Sequence, residues 1–249
     1  MSSYIIHMIG VYSTKKVRKN MKIINIFLAM SFISLLIIGC GGSGKGKGGG
    51  KGSFTASLSD TSTELSEEQK YALAYMWHEE KLAYEIYLEL NKIQPANQFV
   101  NIATKSEIKH IAAVEEIVKN YDINITNLKD YTIDYSQEEL RAMPTGKFAI
   151  DKIQKLYDAL YAKGIKSQKD AMEIGCMVEV TDIIDLKESL KEAEGKQDLV
   201  DTFDFLLRGS YNHYWAFDKG MKNLGVSEGC CSLGIIDGVD YCHPEYPKK

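Results

Sequence analysis

Proline is scarce in this chain: four in 249 residues, with none between Pro144 and Pro244. Proline breaks helix interiors, so its shortage leaves room for long uninterrupted helices. No two of the five cysteines stand in a C-x-x-C spacing, which argues against a rubredoxin-type or iron–sulfur centre. Basic charge is also short. Of the 30 Lys and Arg and 34 Asp and Glu, five bases and no acid lie in residues 1–39, leaving 25 against 34 beyond. Nucleic-acid binding runs on clustered Lys and Arg, so it is set aside as a partner, while cation binding stays open.

Glycine is present but unevenly spread, nine of 20 falling between Gly39 and Gly52. Gly44-Lys45 there is followed by Gly46, not the Ser or Thr of a phosphate loop, and no strand precedes it. The stretch reads as a flexible tether. Upstream, Lys22 opens an apolar run from Ile23 to Ile38, the layout of a secretory signal. The ending Ile37-Ile38-Gly39-Cys40 resembles the lipobox of bacterial lipoproteins. That resemblance implies lipidation of Cys40, attachment to the membrane through the lipid, and export to the periplasm or cell exterior. An uncleaved membrane anchor is the alternative. The expected organisation is an extension (1–20, with Met21 as the start), a lipoprotein signal peptide (21–39), a Gly/Ser/Lys tether (40–60), a helical domain (61–229) and a cysteine-containing tail (230–249).

Export also favours disulfides. Cys230, Cys231 and Cys242 cluster in the tail, and Cys242 is expected to pair with Cys230 or Cys231, with Cys231 as first choice. Cys176 stands apart. It is expected to be a small core filler on an inner helix face, out of the tail's reach.

Four long helices are expected. The first begins at Ser66, where Ser66 and Gln69 form a capping box. Its apolar seam runs Leu73, Met76, Glu80, Ala83, Tyr87, Leu90. The second follows Pro95, with a seam of Ala103, Glu107, His110, Val114, Ile117 and Tyr121. The third starts at Ser167 and runs Met172, Gly175 or Cys176, Glu179, Asp182, Leu186, Leu190. The fourth runs Leu199, Phe203, Leu206, Ser210, His213, Phe217, Leu224, with Gly225 as its stop. Between the second and third, about residues 121–166, one amphipathic helix near Ile150–Ala162 should end at Gly164.

Each seam is interrupted near mid-helix by a metal-binding side chain. With about 1.5 Å rise per residue, mid-helix positions of antiparallel neighbours share one level. Glu80, Glu107, His110, Glu179, Asp182 and His213 can therefore meet in one core layer. Several buried carboxylates cost several kcal/mol each unless a positive partner joins them. Two imidazoles are too few and no Lys or Arg lies on the seams nearby, so metal ions are implied. Glu107 and His110, as Glu-x-x-His, lie on one helix face and can serve one metal or bridge a pair. Asp182 competes with Ile183 for the inward position. His78 and Glu79 are expected at the solvent, and Cys242 with His243 is an alternative metal pair.

These motifs extend to a family. Glu79-Glu80-Lys81-Leu82-Ala83, Ser106-Glu107-x-x-His110, Glu179-x-x-Asp182-Ile183-x-Asp185-Leu186 and Leu207-Arg208-Gly209-Ser210-x-Asn212-His213 resemble the ferritin-like family known as domain of unknown function 2202. The resemblance covers residues 64 to about 224. It implies an all-α fold: a ferritin-like antiparallel four-helix bundle with a long crossover, containing a short helix, between the second and third helices. It further implies two irons, or a single one if Asp182 does not make up for the carboxylate missing at Ser210, with manganese as alternative. Rubrerythrin-type members are similar at Glu80, Ala83, Tyr87, Glu107, His110, Glu179, Asp182 and His213. The chain departs from them at Ser210, where a glutamate is expected, and in having no rubredoxin part. The reading that follows is a metal-binding envelope protein that oxidises ferrous iron with dioxygen or peroxide. A non-catalytic metal-binding or structural module is the alternative; individual catalytic residues are not assigned, and monomer and homodimer stay open.

Overall fold

The computed structural model describes residues 64–128, 131–132 and 135–248. The signal, Cys40, the tether and the start of the expected helical domain lie outside the described residues. No helix among the described residues is long and apolar enough to cross a membrane.

Helix α1 spans Glu67–Ile93. Ser66 caps it: its Oγ accepts from Gln69 N at 3.2 Å, and Gln69 Oε1 accepts from Ser66 N at 3.1 Å. Then come α2 (Asn97–Ile102), a π turn (Ala103–Glu107) and α3 (Ile108–Asn120). The long connection holds a hairpin of two-residue strands, β1 (Asn127–Leu128) and β2 (Tyr131–Thr132), then α4 (Gln137–Ala142) and α5 (Asp151–Gly164). Helices α6 (Gln168–Glu192) and α7 (Gln197–Asn223) follow. The tail has a 3-10 turn (Gly229–Leu233) and a second short hairpin, β3 (Ile235–Ile236) with β4 (Val239–Asp240). Asp237 and Gly238, both at positive φ, turn that hairpin. The fold is thus mostly helical, with strands only in these two hairpins among the described residues.

Cross-helix contacts set the directions. Gln69 Nε2 donates to Glu192 O at 2.9 Å near one end of α1, and Tyr87 meets Glu179 further along, so α1 and α6 run antiparallel. Ser210 meets Asp182, and the backbone of Gly175 lies against Phe217, so α6 and α7 also run antiparallel. Trp77 Nε1 donates to Glu115 and Glu80 faces His110, pairing α1 with α3 in the same sense. Tyr121 OH donates to Asp198 Oδ2 at 2.8 Å, while Glu107 faces His213, which does so for α3 and α7.

Helices α3 and α7 are amphipathic. Helices α1 and α6 are buried almost all round: every residue from Met76 to Ala83 and from Ala171 to Ile183 is buried. The cause is α5, which packs on both and covers the side that would otherwise face water. This corrects the expectation for His78 and Glu79, which are buried. It also removes the contest between Asp182 and Ile183, since both are buried. Gly164 does end α5, but its role is close approach: an added Cβ would stand 2.6 Å from Leu90 Cδ2.

The tail departs from expectation at Cys176, which is bonded to Cys230. Gly175 takes the position against Phe217, and the next residue points about 100° further round the helix. There Cys176 meets the tail, which returns beside α7 once the chain turns after Asn223. Cys231 is bonded to Cys242. Tyr214 OH donates to Tyr241 O and Trp215 Nε1 to Pro247 O, holding the tail's end on α7.

Candidate metal centre

Five side chains converge from four segments: Glu80 from α1, Glu107 from the π turn and His110 from the α3 that continues it, Glu179 from α6 and His213 from α7. All five are buried. They form two groups, Glu80–Glu107–His110 and Glu107–Glu179–His213, in each of which the potential ligand atoms lie within 4.8 Å of one another. Glu107 belongs to both. Its Oε2 is 2.9 Å from His110 Nδ1, and its Oε1 is 2.9 Å from His213 Nδ1. His110 Nδ1 is 3.1 Å from Glu80 Oε2, and His213 Nδ1 is 3.3 Å from Glu179 Oε2. The two rings lie 5.5 Å apart at 28°.

The π turn brings two buried faces of this segment into line. It adds a residue between the buried face at Phe99 and Ile102 and the one at Glu107, His110, Val114 and Ile117, so both face the core. Such turns recur at functional sites.

Neighbours orient the group. Tyr87 OH donates to Glu179 Oε1 at 2.5 Å. Ser106 Oγ lies 3.4 Å from His110 Nε2, and Phe205 meets the His110 ring edge-on. Gly209 leaves room for that ring, because a Cβ there would stand 2.3 Å from His110 Nε2. Asp182 lies beside the five and belongs to neither group; its Oδ2 accepts from Ser210 Oγ at 2.7 Å. Ser210 therefore fills the expected glutamate position by binding a neighbouring carboxyl.

Protons balance the charge. Burial, then the Glu179 charge, pushes Asp182 up to about 8. Burial and Asp182 raise Glu80 well above the carboxylate range, and burial raises Glu179. Burial works against ionisation of Glu107 too, but His213 and His110 outweigh it and hold that carboxyl well below its usual range. The imidazoles respond in kind: burial opposes their charge, yet the carboxylates raise His110 well above its ordinary value and His213 to about 10. The cluster holds protons where a cation would serve. Glu80 Oε1 has no hydrogen-bond partner, and His213 Nδ1 is close to two carboxylates without the alignment of a hydrogen bond. Each is an atom that a bound cation would satisfy.

Behind the centre, Glu79 and Asp185 are buried near each other, with Tyr75 close to both, and Glu79 Oε2 and Asp185 Oδ2 have no hydrogen-bond partner. Burial, then Asp185, raises Glu79, and burial lifts Asp185 to about 6. Burial and the Lys81 charge drop His78 to about 3, so its ring is neutral. Seam periodicity does not reveal this acid pair, although both residues stand in the family motifs. Nor does it single out Gly209, a glycine inside a helical pattern, which is a sign of close packing.

Residues 69–233 match the family described as Uncharacterized protein domain (DUF2202), a span that contains all five converging side chains. The chain belongs to this family. Uncharacterized protein MJ0754 of Methanocaldococcus jannaschii is 33% identical over 161 residues, covering 65% of this chain and 79% of that protein. No solved structure matches the chain. Membership in DUF2202 thus rests on the region that builds the centre, and carries no activity with it.

Proposed function

We propose that this DUF2202 protein is a ferritin-like four-helix protein with a dinuclear metal centre, iron being the first choice and manganese the second. The observation that carries the reading is the sharing of Glu107 between two buried Glu/His groups. In this reading Glu80 and His110 would hold one ion, Glu179 and His213 the other, and Glu107 would serve both. Three carboxylates with two imidazoles suit iron and manganese, and the unsatisfied atoms of Glu80 and His213 fit the same group. The pairwise antiparallel packing of α1, α2–α3, α6 and α7 supports the ferritin-like arrangement.

When bound, the ions supply electron transfer to dioxygen or peroxide, with ferrous iron as the substrate. The chain's own part is to orient and to exclude water. Tyr87 fixes Glu179, Ser210 fixes Asp182, and Gly209 and Phe205 fix the His110 ring. His110, His213 and Glu80 would give up their protons in holding a cation, and Asp182 beside them would lose its own to the added positive charge. Lipid anchoring at Cys40 and an envelope location complete the proposal, on the strength of the lipobox resemblance alone.

The test is metal analysis of the full chain purified in detergent from metal-replete medium. Two ions per chain are expected, and none in Glu107→Gln. A chain that holds no metal overturns the reading. The cluster's ability to neutralise itself with protons favours a second one, a non-catalytic or structural module. Turnover with ferrous iron and peroxide separates the two.

A further inference from the structure

Four cysteines meet beside α6 and α7, in two bonds that differ in access. Cys176 and Cys230, bonded to each other, are both 0% exposed. Cys231 and Cys242, bonded to each other, are half-buried. Cys230 and Cys231 are chain neighbours, so the inner and outer bonds share a corner.

The inner bond touches the centre's supports from two helices. Cys176 precedes Glu179 by three residues, which places both on one face of α6. Cys230 Sγ lies 3.9 Å from the carbonyl oxygen of Tyr214, the residue after His213. Asp218 Oδ1 accepts from Cys230 N at 3.1 Å and pins the tail in that place. A reductant in solution cannot reach a bond whose cysteines are both fully buried, whereas it can reach the outer bond.

We propose that the two disulfides form a relay that passes reducing equivalents from a solution dithiol to the oxidant at the Glu107–Glu179–His213 group. This rests on the function proposed above. In the first step the dithiol reduces Cys231–Cys242, leaving two protein thiols and an oxidised reductant. The Cys242 thiolate then attacks Cys230 Sγ, the bond to Cys176 breaks, and Cys176 leaves and takes a proton. The Cys231 thiolate attacks Cys242 Sγ, which remakes the outer bond and releases Cys230 as a thiol. The inner pair is now reduced at the expense of one external dithiol. Finally Cys176 and Cys230 lose two electrons and two protons and remake their bond, and one peroxide takes up both to give two waters. The exchange is short-ranged. The Cα atoms of Cys231 and Cys242 are 4.0 Å apart, so Cys242 starts within about 8 Å of Cys230. A shift of about 1 Å brings that pair within the span a disulfide bridges.

The first experiment maps disulfides in metal-free full chain carrying Cys231→Ser, by mass spectrometry of a non-reduced digest. The relay expects Cys230–Cys242 with Cys176 free. Finding only Cys176–Cys230 with Cys242 free overturns it. The wild-type chain tests the same exchange without a substitution. Treated with dithiothreitol, quenched in acid at intervals, then denatured and alkylated, it should show Cys231 and Cys242 as thiols first and Cys176 and Cys230 next, with helical circular dichroism unchanged before the quench. A Cys176–Cys230 bond that stays closed in the folded chain after Cys231–Cys242 is reduced overturns the relay. Coupling is then read in reduced, iron-loaded protein given one equivalent of peroxide without oxygen. One Cys176–Cys230 bond per peroxide is expected, formed at least tenfold faster than in metal-free protein. Iron that binds and is oxidised while the thiols close only at the metal-free rate overturns the relay and leaves the function standing. Failure to bind iron overturns the function, and with it the relay as a supply to that centre.

Discussion

Gly209 and His110 are packed so closely that a single added methyl group cannot fit between them: a Cβ at Gly209 would stand 2.3 Å from His110 Nε2. A backbone atom of α7 thereby fixes where a ring of α3 points. Gly209→Ala should force His110 off its position. Overpacking of this kind costs about 1–3 kcal/mol, and a displaced ligand loses roughly 10–100-fold in metal affinity. Melting and metal content of the variant check both; an unchanged metal content would show that His110 is no ligand.

Tyr87 should act through Glu179. Its hydroxyl donates at 2.5 Å to a buried carboxyl. Tyr87→Phe keeps the ring against Phe99 and Phe217 and removes only the donor. Metal affinity should fall about 10–100-fold with helical content unchanged, as isothermal titration with manganese would show.

Metal should stabilise the fold by linkage. At a free concentration near 100 times Kd, a cation bound only by the folded chain adds about 2.7 kcal/mol. For a domain of this size that is about 5–11 °C in Tm. Differential scanning calorimetry with and without manganese measures it, and Glu107→Gln should abolish the shift.

The pH dependence of the metal-free chain follows from the same cluster. Folded Asp182 titrates at about 8 against an ordinary 3.8, and folded His213 at about 10 against 6.5. In both cases the folded chain binds the proton more tightly than the unfolded one. The stabilisation is present at low pH and lost as pH rises, over 3.8 to about 8 for Asp182 and 6.5 to about 10 for His213. Metal-free Tm should therefore fall between pH 6.5 and 8. Cation binding displaces those protons, so the gap between metal-bound and metal-free Tm should widen over the same interval. A metal-free Tm that rises from pH 6.5 to 8 would contradict this assignment of protons.

Sequence patterning alone determined the four long helices and α5, though not the short α4: Ser66 with Gln69 marked the start of α1, and the three- and four-residue spacing of apolar side chains marked the faces that meet. It also singled out Glu80, Glu107, His110, Glu179 and His213, because a charged residue on an apolar seam stands out against its neighbours. That local signal assumes one buried face per helix. It fails for α1 and α6, which α5 covers on the far side, and so His78, Glu79 and Asp185 were buried by tertiary packing that no spacing reveals. The alignment of the Glu107 seam with the buried face at Phe99 and Ile102 depends on a π turn, whose extra residue leaves no mark in composition. The Cys176–Cys230 bond was likewise decided by the fold. The pairing joins residues 54 apart in sequence, and only the return of the tail beside α7 brings a surface segment against a helix position that the seam alone would assign to the core.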